Sequence, residues 1–509
     1  MRGAISYRDF DLLVRRTEGG YRAQVLSSPA GEATAEFTVP FSELELENFL
    51  LRVGRPRRGT RRIGSPEMEA VKTLGKRLYD AVFSGDVRAC WRSSLNEAEA
   101  QNAGLRLRLR FGDAPELNEV PWEYLYNASL NRFLSLSEYT PLIRYLDLPE
   151  RIRPLPVDAR LEILVMISSP TDYPRLDVEY EWSRLNEALA GPVGSGRVRL
   201  QRLPEARLTV LQRELRRGEY HILHFIGHAG FDRDTQGGLV VLRDEAGRGR
   251  LVAAEHFGTI LHDHRSLRLV VLNACEGSRA SRADPFAGVA QTLVQQGVPA
   301  VIAMQFEITD QAAIIFAEEF YAAVGDGHPV DAALADARKA IFASGNDIEW
   351  GTPVLYLRAP DGQLFAVNHR ARQQAKEERQ AEAAHRVDEV RARPGRVPLM
   401  LGWKALGRSL DFLRGLRAQG SRTGWTALIL TAVIGSVALA FWVVHLNVQP
   451  PEGPTKAAQP SSASQPLLKG PPLLKDPPLL KDPPLLKGPS PLVATPPEGT
   501  SLLVAPKTK

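Results

Sequence analysis

The sequence predicts an α/β fold built on a largely parallel sheet, and two observations predict it. Between residues 161 and 367, short continuous apolar runs alternate with segments of helical periodicity. Those runs are apolar throughout rather than at every other position, as strands covered on both faces require.

The elements follow in order. Residues 161–167 read as an apolar strand, followed by a loop rich in Pro and Asp and a helix over 178–189. A short strand near 198–203 precedes a helix at 206–216. Residues 221–226 and 267–273 read as buried strands, then come a helix over 286–295 and a strand at 298–304. Two helices, around 310–324 and 330–342, lead to a closing strand at 354–357. In such sheets function gathers at the carboxyl ends of the strands.

Residues 1–155 read as an α+β region. Strict alternation over residues 105–111 predicts a half-buried strand, and 67–84 a helix. Pro154 and Pro156 mark a boundary, so the α/β domain is placed at 156–368. Residues 369–400 are charged, carry no apolar stripe, and read as a spacer. Over 401–424, Trp403, Leu406, Leu410 and Leu413 recur at helical spacing among Lys404, Arg408, Arg414 and Arg417, as in a basic helix lying on an anionic leaflet.

Residues 425–446 hold no charge unless His445 is protonated. An apolar run of about 20 residues is long enough to cross a bilayer, and Trp425 and Trp442 fall where aromatic belts form. Arginines precede the run and the next cation is Lys456, so the positive-inside bias puts the large N-terminal part in the cytoplasm. Residues 447–509 form a Pro-rich tail, expected to be disordered, with Pro-Leu-Leu-Lys units at Pro466, Pro472, Pro478 and Pro484. It reads as a spacer on the opposite side of the membrane.

Composition narrows the function. The 509 residues allow two or three folded units, and 44% hydrophobic with 24% charged residues is ordinary for globular chains. A net charge of +5 suggests nucleic acid at first sight. The arginines, however, are scattered among acidic neighbours, and no zinc-ligand spacing, phosphate loop or aromatic ladder accompanies them. Nucleic acid is not an expected partner, and no cofactor is expected. The two cysteines, Cys90 and Cys275, cannot form a disulfide framework and fit a reduced setting. The N-terminus lacks the apolar stretch of a secretory signal.

Two strings carry chemistry. In the first, the strand ending at Asn273 is followed by Ala274, Cys275, Glu276 and Gly277. In the second, the strand containing His221 and His224 ends in Gly227, and His228 follows on an exposed turn. A hairpin and a helix between them allow the two strands to lie side by side. A thiol of pKa about 8.5 is mostly protonated at neutral pH, and a neighbouring imidazole raises its thiolate fraction. The thiolate then attacks a carbonyl and the imidazole protonates the leaving amine. Backbone N–H groups of Cys275 and of Ala229 or Gly230 are the candidates for the oxyanion. A lone Cys after a strand is more often a small buried hydrophobe, and a lone His a satisfied polar group. Metal binding is disfavoured, because His221 and His224 face opposite sides of a strand.

The two strings stand in the order His then Cys, 47 positions apart. The string Asn273-Ala-Cys-Glu-Gly277 resembles the caspase signature Gln-Ala-Cys-x-Gly, whose His lies about 50 residues upstream. More closely, the chain resembles the CHAT family of caspase-like cysteine peptidases, related to caspases and separase. The resemblance rests on residues 224–232 and Val271-Leu-Asn-Ala-Cys275. Residues 299–304, Ile308-Thr-Asp310, Ala337-Arg338, Pro121-Trp-Glu-Tyr-Leu125 and Pro141-Leu-Ile-Arg144 support it.

The resemblance implies a caspase-like fold, Cys275 as nucleophile and His228 as base. It also implies an endopeptidase of bacterial signalling, defence or regulated cell death, acting on protein and awaiting an unknown activator. The tetratricopeptide repeats often found beside such domains are missing, and Ala229 stands where relatives often have Gly. In this fold the loop 168–176 tends to line the pocket for the residue before the cut, where Asp172 and Asp177 would favour a basic side chain. Asp177 reads more readily as a helix cap, and Asp310 likewise. A catalytically silent scaffold or sensor at the membrane is the alternative function.

Overall fold

The computed structural model describes residues 5–53, 65–148, 152–232, 237–279 and 285–368, with Gln374 besides. The strand and helix order is as follows. The N-terminal part runs β1 (Ser6–Thr17), β2 (Gly20–Ser27), β3 (Ala33–Phe37), α1 (Glu43–Val53), α2 (Pro66–Val82), α3 (Gly85–Ala100), β4 (Ala103–Phe111), β5 (Tyr126–Asn127), β6 (Arg132–Phe133), β7 (Leu142–Tyr145) and β8 (Leu155–Val157). Then come β9 (Leu161–Ile167), α4 (Val178–Ala188), α5 (Ala190–Gly194), β10 (Val198–Arg202), α6 (Leu208–Arg217), β11 (Ile222–Asp232), β12 (Gly237–Arg243), β13 (Gly249–Ala253) and α7 (Ala254–Leu261). The last stretch is β14 (Leu269–Arg279), α8 (Pro285–Gln295), β15 (Ala300–Met304), α9 (Asp310–Gly325), α10 (Val330–Ala343), β16 (Pro353–Leu357) and β17 (Phe365–Val367).

One sheet runs through both regions, in the order β10-β9-β11-β14-β15-β16-β7-β4-β1-β2-β3, with β12 and β13 attached beside β11. β10, β9, β11, β14 and β15 are mutually parallel. The closing strand β16 runs antiparallel to β15 and parallel to β7, and β7, β4 and β1 continue in its direction. The strands before residue 146 and those after residue 160 that join this sheet form adjoining blocks of it.

Apolar strand runs serve two cores at once. Ile163 and Val165 join Ile222, Ile226, Val271 and Ile302 on one face. Leu164 and Met166 join Leu223, Phe225, Val270 and Leu272 on the other. Phe316 and Phe320 of α9 cover the first face, and Phe257, Phe286, Val289 and Leu293 of α7 and α8 cover the second. Strands sandwiched this way need an apolar residue at every position, which is why alternation is absent there.

β4 departs from the expected half-burial. Leu105, Leu107 and Leu109 enter the core, and Arg106 and Arg108 on the opposite face are also buried. Arg106 Nε donates to Asp331 Oδ2 at 2.5 Å, with side-chain exposures of 3% and 0%. Arg106 also reaches Asp9, and Arg108 pairs with Asp9 and Asp11. The alternation was real, but acidic partners brought from β1 and α10 bury the polar face too. Asp331→Ala leaves a buried guanidinium short of its counter-charge and is expected to destabilise the fold by about 3–5 kcal/mol, measured by denaturant unfolding.

Most of the spacer, the juxtamembrane helix 401–424, the span 425–446 and the tail 447–509 lie outside the described residues. Among the described residues no helix is long and apolar enough to cross a membrane.

Candidate active site

β11 and β14 are neighbouring parallel strands, in register from Ile222↔Leu269 to Gly227↔Ala274. The next residues are His228 and Cys275. Adjacent strands lie about 4.8 Å apart, so the register sets these two positions side by side at the carboxyl end of the block. Beyond them the ladder breaks its rhythm. Ala229 pairs with Arg279, so His228 stands against the stretch Cys275, Glu276, Gly277 and Ser278. A bulge of this kind re-aims side chains and is common beside active sites. For Cys275 the structure describes the backbone, not the side chain.

Two expectations change here. His228 is not on an exposed turn: β11 continues to Asp232, and His228 is 1% exposed. Its extension pairs with β12, Ala229 opposite Val240 and Gly230 opposite Leu239. Likewise β14 does not end before the thiol but runs to Arg279. The polar and glycine residues of both extensions carry no apolar run, so only the strand pairing reveals them.

The imidazole of His228 is oriented by a backbone carbonyl. Nε2 lies 2.8 Å from the oxygen of Pro174. A carbonyl only accepts, so Nε2 carries the proton and, in the neutral ring, Nδ1 carries the lone pair. Nδ1 is buried and has no hydrogen-bond partner among the described residues. That leaves one ring nitrogen uncommitted among the described residues, on a residue whose backbone neighbours Cys275 across the strand pair.

The loop that brings Pro174 is itself braced. Ser168 N–H donates to Ile226 O at 2.8 Å and its hydroxyl to Val241 O at 2.7 Å. Ser169 Oγ accepts from Leu176 N–H at 3.0 Å and donates to Leu176 O at 2.9 Å. Asp172 Oδ1 accepts from Gly249 N–H at 2.6 Å. The Tyr173 ring lies over His228, with centroids 5.5 Å apart. A Cβ on Gly249 would come within 2.3 Å of that ring, so only glycine admits Tyr173 here. The sequence pointed to this loop but held no signal for a carbonyl at Pro174.

The candidate pocket carboxylates are placed differently from one another. Asp177 is the N-cap of α4, its Oδ1 accepting from Tyr180 N–H at 3.1 Å. Asp172 holds the β13 backbone, as above. Asp310 is not the cap of α9: Thr309 is, accepting from Ala312 N–H, and Asp310 pairs with Arg184. Thr309 precedes the first helical residue, where a side-chain oxygen can reach an otherwise unpaired N–H.

The other histidines of β11 and its approach are structural. His221 Nδ1 accepts from Glu162 N–H at 2.9 Å. His224 Nδ1 lies 2.6 Å from the Tyr321 hydroxyl, Nε2 is buried without a partner among the described residues, and the residue lines a cavity of about 30 Å³ together with Asn273. Burial pushes His224 down to about 4 from its ordinary 6.5. A depressed pKa means this contribution to stability is intact above about pH 6.5 and is lost as pH falls through 4. The full loss is on the order of 3 kcal/mol. Thermal denaturation of His224→Gln is therefore expected to show a shallower fall than wild type between pH 6.5 and 4.

The CHAT domain matches residues 72–394, well over half of the chain, and spans every residue of this site. No curated protein matches the chain. Among solved structures it is similar to the Arg-specific cysteine proteinase gingipain R, at 10% identity and a TM-score of 0.34, covering 56% of this chain and 68% of that one. It is also similar to a chain of the Saccharomyces cerevisiae separase–securin complex, at 14% identity and a TM-score of 0.30, covering 62% of this chain and 22% of that one. The protein thus spans less than a quarter of the latter chain's length. Likeness at these scores carries no argument about chemistry. The domain match, which takes in the β11–β14 rim and both covering layers, is sufficient by itself: the chain belongs to the CHAT domain family.

Proposed function

We propose that this is a membrane-tethered cysteine endopeptidase in which His228 and Cys275 act as a dyad on protein substrates. The observation that carries the reading is the His228 ring, with Nε2 committed to Pro174 and Nδ1 uncommitted among the described residues. In this scheme the Cys275 thiol gives its proton to Nδ1 and the thiolate forms a bond to the peptide carbonyl carbon. Backbone N–H groups of Cys275 and of Ala229 or Gly230 take up the oxyanion. As the C–N bond breaks, Nδ1–H protonates the departing amine, leaving a thioester. Nδ1 then takes a proton from water, whose oxygen attacks the thioester, and the thiol is regenerated. Nε2–H keeps its bond to Pro174 throughout, so the ring holds its orientation while its charge comes and goes.

Substrate access requires the Tyr173 side chain to swing aside, because its ring lies over a histidine that is 1% exposed. Activation by a partner acts, in this reading, by displacing that ring while the Pro174 carbonyl stays on Nε2. Asp172 and Asp177 are exposed and each engages one carboxylate oxygen, which leaves the second of each to favour a basic residue before the cut. Residues 425–446 hold the domain at the cytoplasmic face, and the Pro-rich tail lies on the other side. The setting is bacterial signalling, defence or regulated cell death, as the family resemblance implies.

Mapping of new protein N-termini in cells expressing wild type or Cys275→Ala tests the reading. Cuts confined to wild type and sharing a residue type before the bond are expected. Identical sets of termini would instead favour a non-catalytic scaffold at the membrane.

A further inference from the structure

Arginines that look scattered along the sequence converge at the rim opposite His228. A cavity of about 940 Å³ opens where the loop before β14, the loop before β15 and the end of β16 meet. Among the described residues its walls carry Arg153, Arg265, Arg268 and Arg358, with His262 and His264, against a single carboxylate, Asp263. That carboxylate already lies 3.2 Å from His262 Nε2. Arg358 is 5% exposed. Arg268 Nε is buried without an acceptor among the described residues. Burial draws its guanidinium pKa down.

Guanidinium groups gathered in a concavity repel one another, and a partly buried one lacking an acceptor is costly. Negative charge would relieve both penalties. Guanidinium forks match phosphate oxygens two at a time, and the cavity has the volume of a nucleotide-sized site. The geometry points to a binding site for a soluble ligand carrying two or more phosphate groups, held by Arg265 and Arg268. The site lies about 20 Å along β14 from Cys275 and stands whether or not the chain is a peptidase.

Calorimetric titration of the full chain with inorganic tripolyphosphate tests it, with orthophosphate as comparison. Saturable binding of tripolyphosphate, weaker for orthophosphate and weakening as salt rises, is expected. Arg265→Gln, whose side chain is exposed, and Arg268→Gln should each weaken binding about tenfold or more, with an unchanged circular dichroism spectrum. Arg268→Lys should restore part of the affinity. Absence of saturable binding at millimolar tripolyphosphate would overturn the assignment, and so would equal binding by folded Arg265→Gln and wild type.

Discussion

Cys275→Ala is expected to lower substrate cleavage by about 10⁴-fold or more, to the level of uncatalysed background. The magnitude follows from what the sulfur does. In the proposed mechanism it supplies the electron pair that forms the thioester. Cys90 cannot substitute, since it is buried in α3 with its Sγ 3.2 Å from the Ser28 hydroxyl, on a different part of the sheet. A fluorogenic peptide built from the mapped cleavage sequence provides the assay. The same variant should resist an acyloxymethyl ketone that labels the wild type. An alanine variant that still cuts would remove Cys275 from the mechanism outright.

His228→Ala is expected to cost about 10³-fold in kcat, less than loss of the sulfur because a thiol retains some nucleophilicity alone. In the proposed mechanism two steps depend on the ring. It raises the thiolate fraction before attack, and it delivers a proton to the amine as the C–N bond breaks. Structural damage must be separated from chemical loss, because His228 is buried and bonded to Pro174. His228→Gln keeps a polar group near Pro174 but offers no base of suitable pKa, so it should fold and still lose most activity. A more easily expelled leaving group, such as a thioester substrate, should recover much of the loss in either variant. The acylation step then no longer needs its acid.

Much of this fold was legible because burial on two faces writes itself as unbroken apolar runs. Residues 161–167, 300–304 and the helices over 178–188 and 310–325 sit within a few positions of where periodicity placed them. Direction was not legible: nothing in Pro353–Leu357 says that it runs antiparallel to β15. Nor does the N-terminal region announce that β1, β4 and β7 extend the same sheet, since that depends on partners far away in sequence. Arg106 and Arg108 show the same limit, because their burial rests on Asp9, Asp11 and Asp331.

The candidate site divides along similar lines. The His–Cys spacing and the adjacency of their strands could be read from side chains and connection lengths. The tautomer of His228 could not, for it is set by a main-chain oxygen that every residue possesses. Only the fold shows that the carbonyl at Pro174, rather than any other, reaches Nε2.

The most direct test of the central claim is the rate at which iodoacetamide alkylates Cys275 at pH 6.5, in a Cys90→Ser background with and without His228→Gln. It needs neither substrate nor activator, only a small reagent and mass-spectrometric readout. If Nδ1 of His228 draws the proton from the sulfur, the histidine-containing protein should react at least about tenfold faster, since an isolated thiol of pKa about 8.5 is almost wholly protonated there. Equal rates in the two proteins would contradict the account.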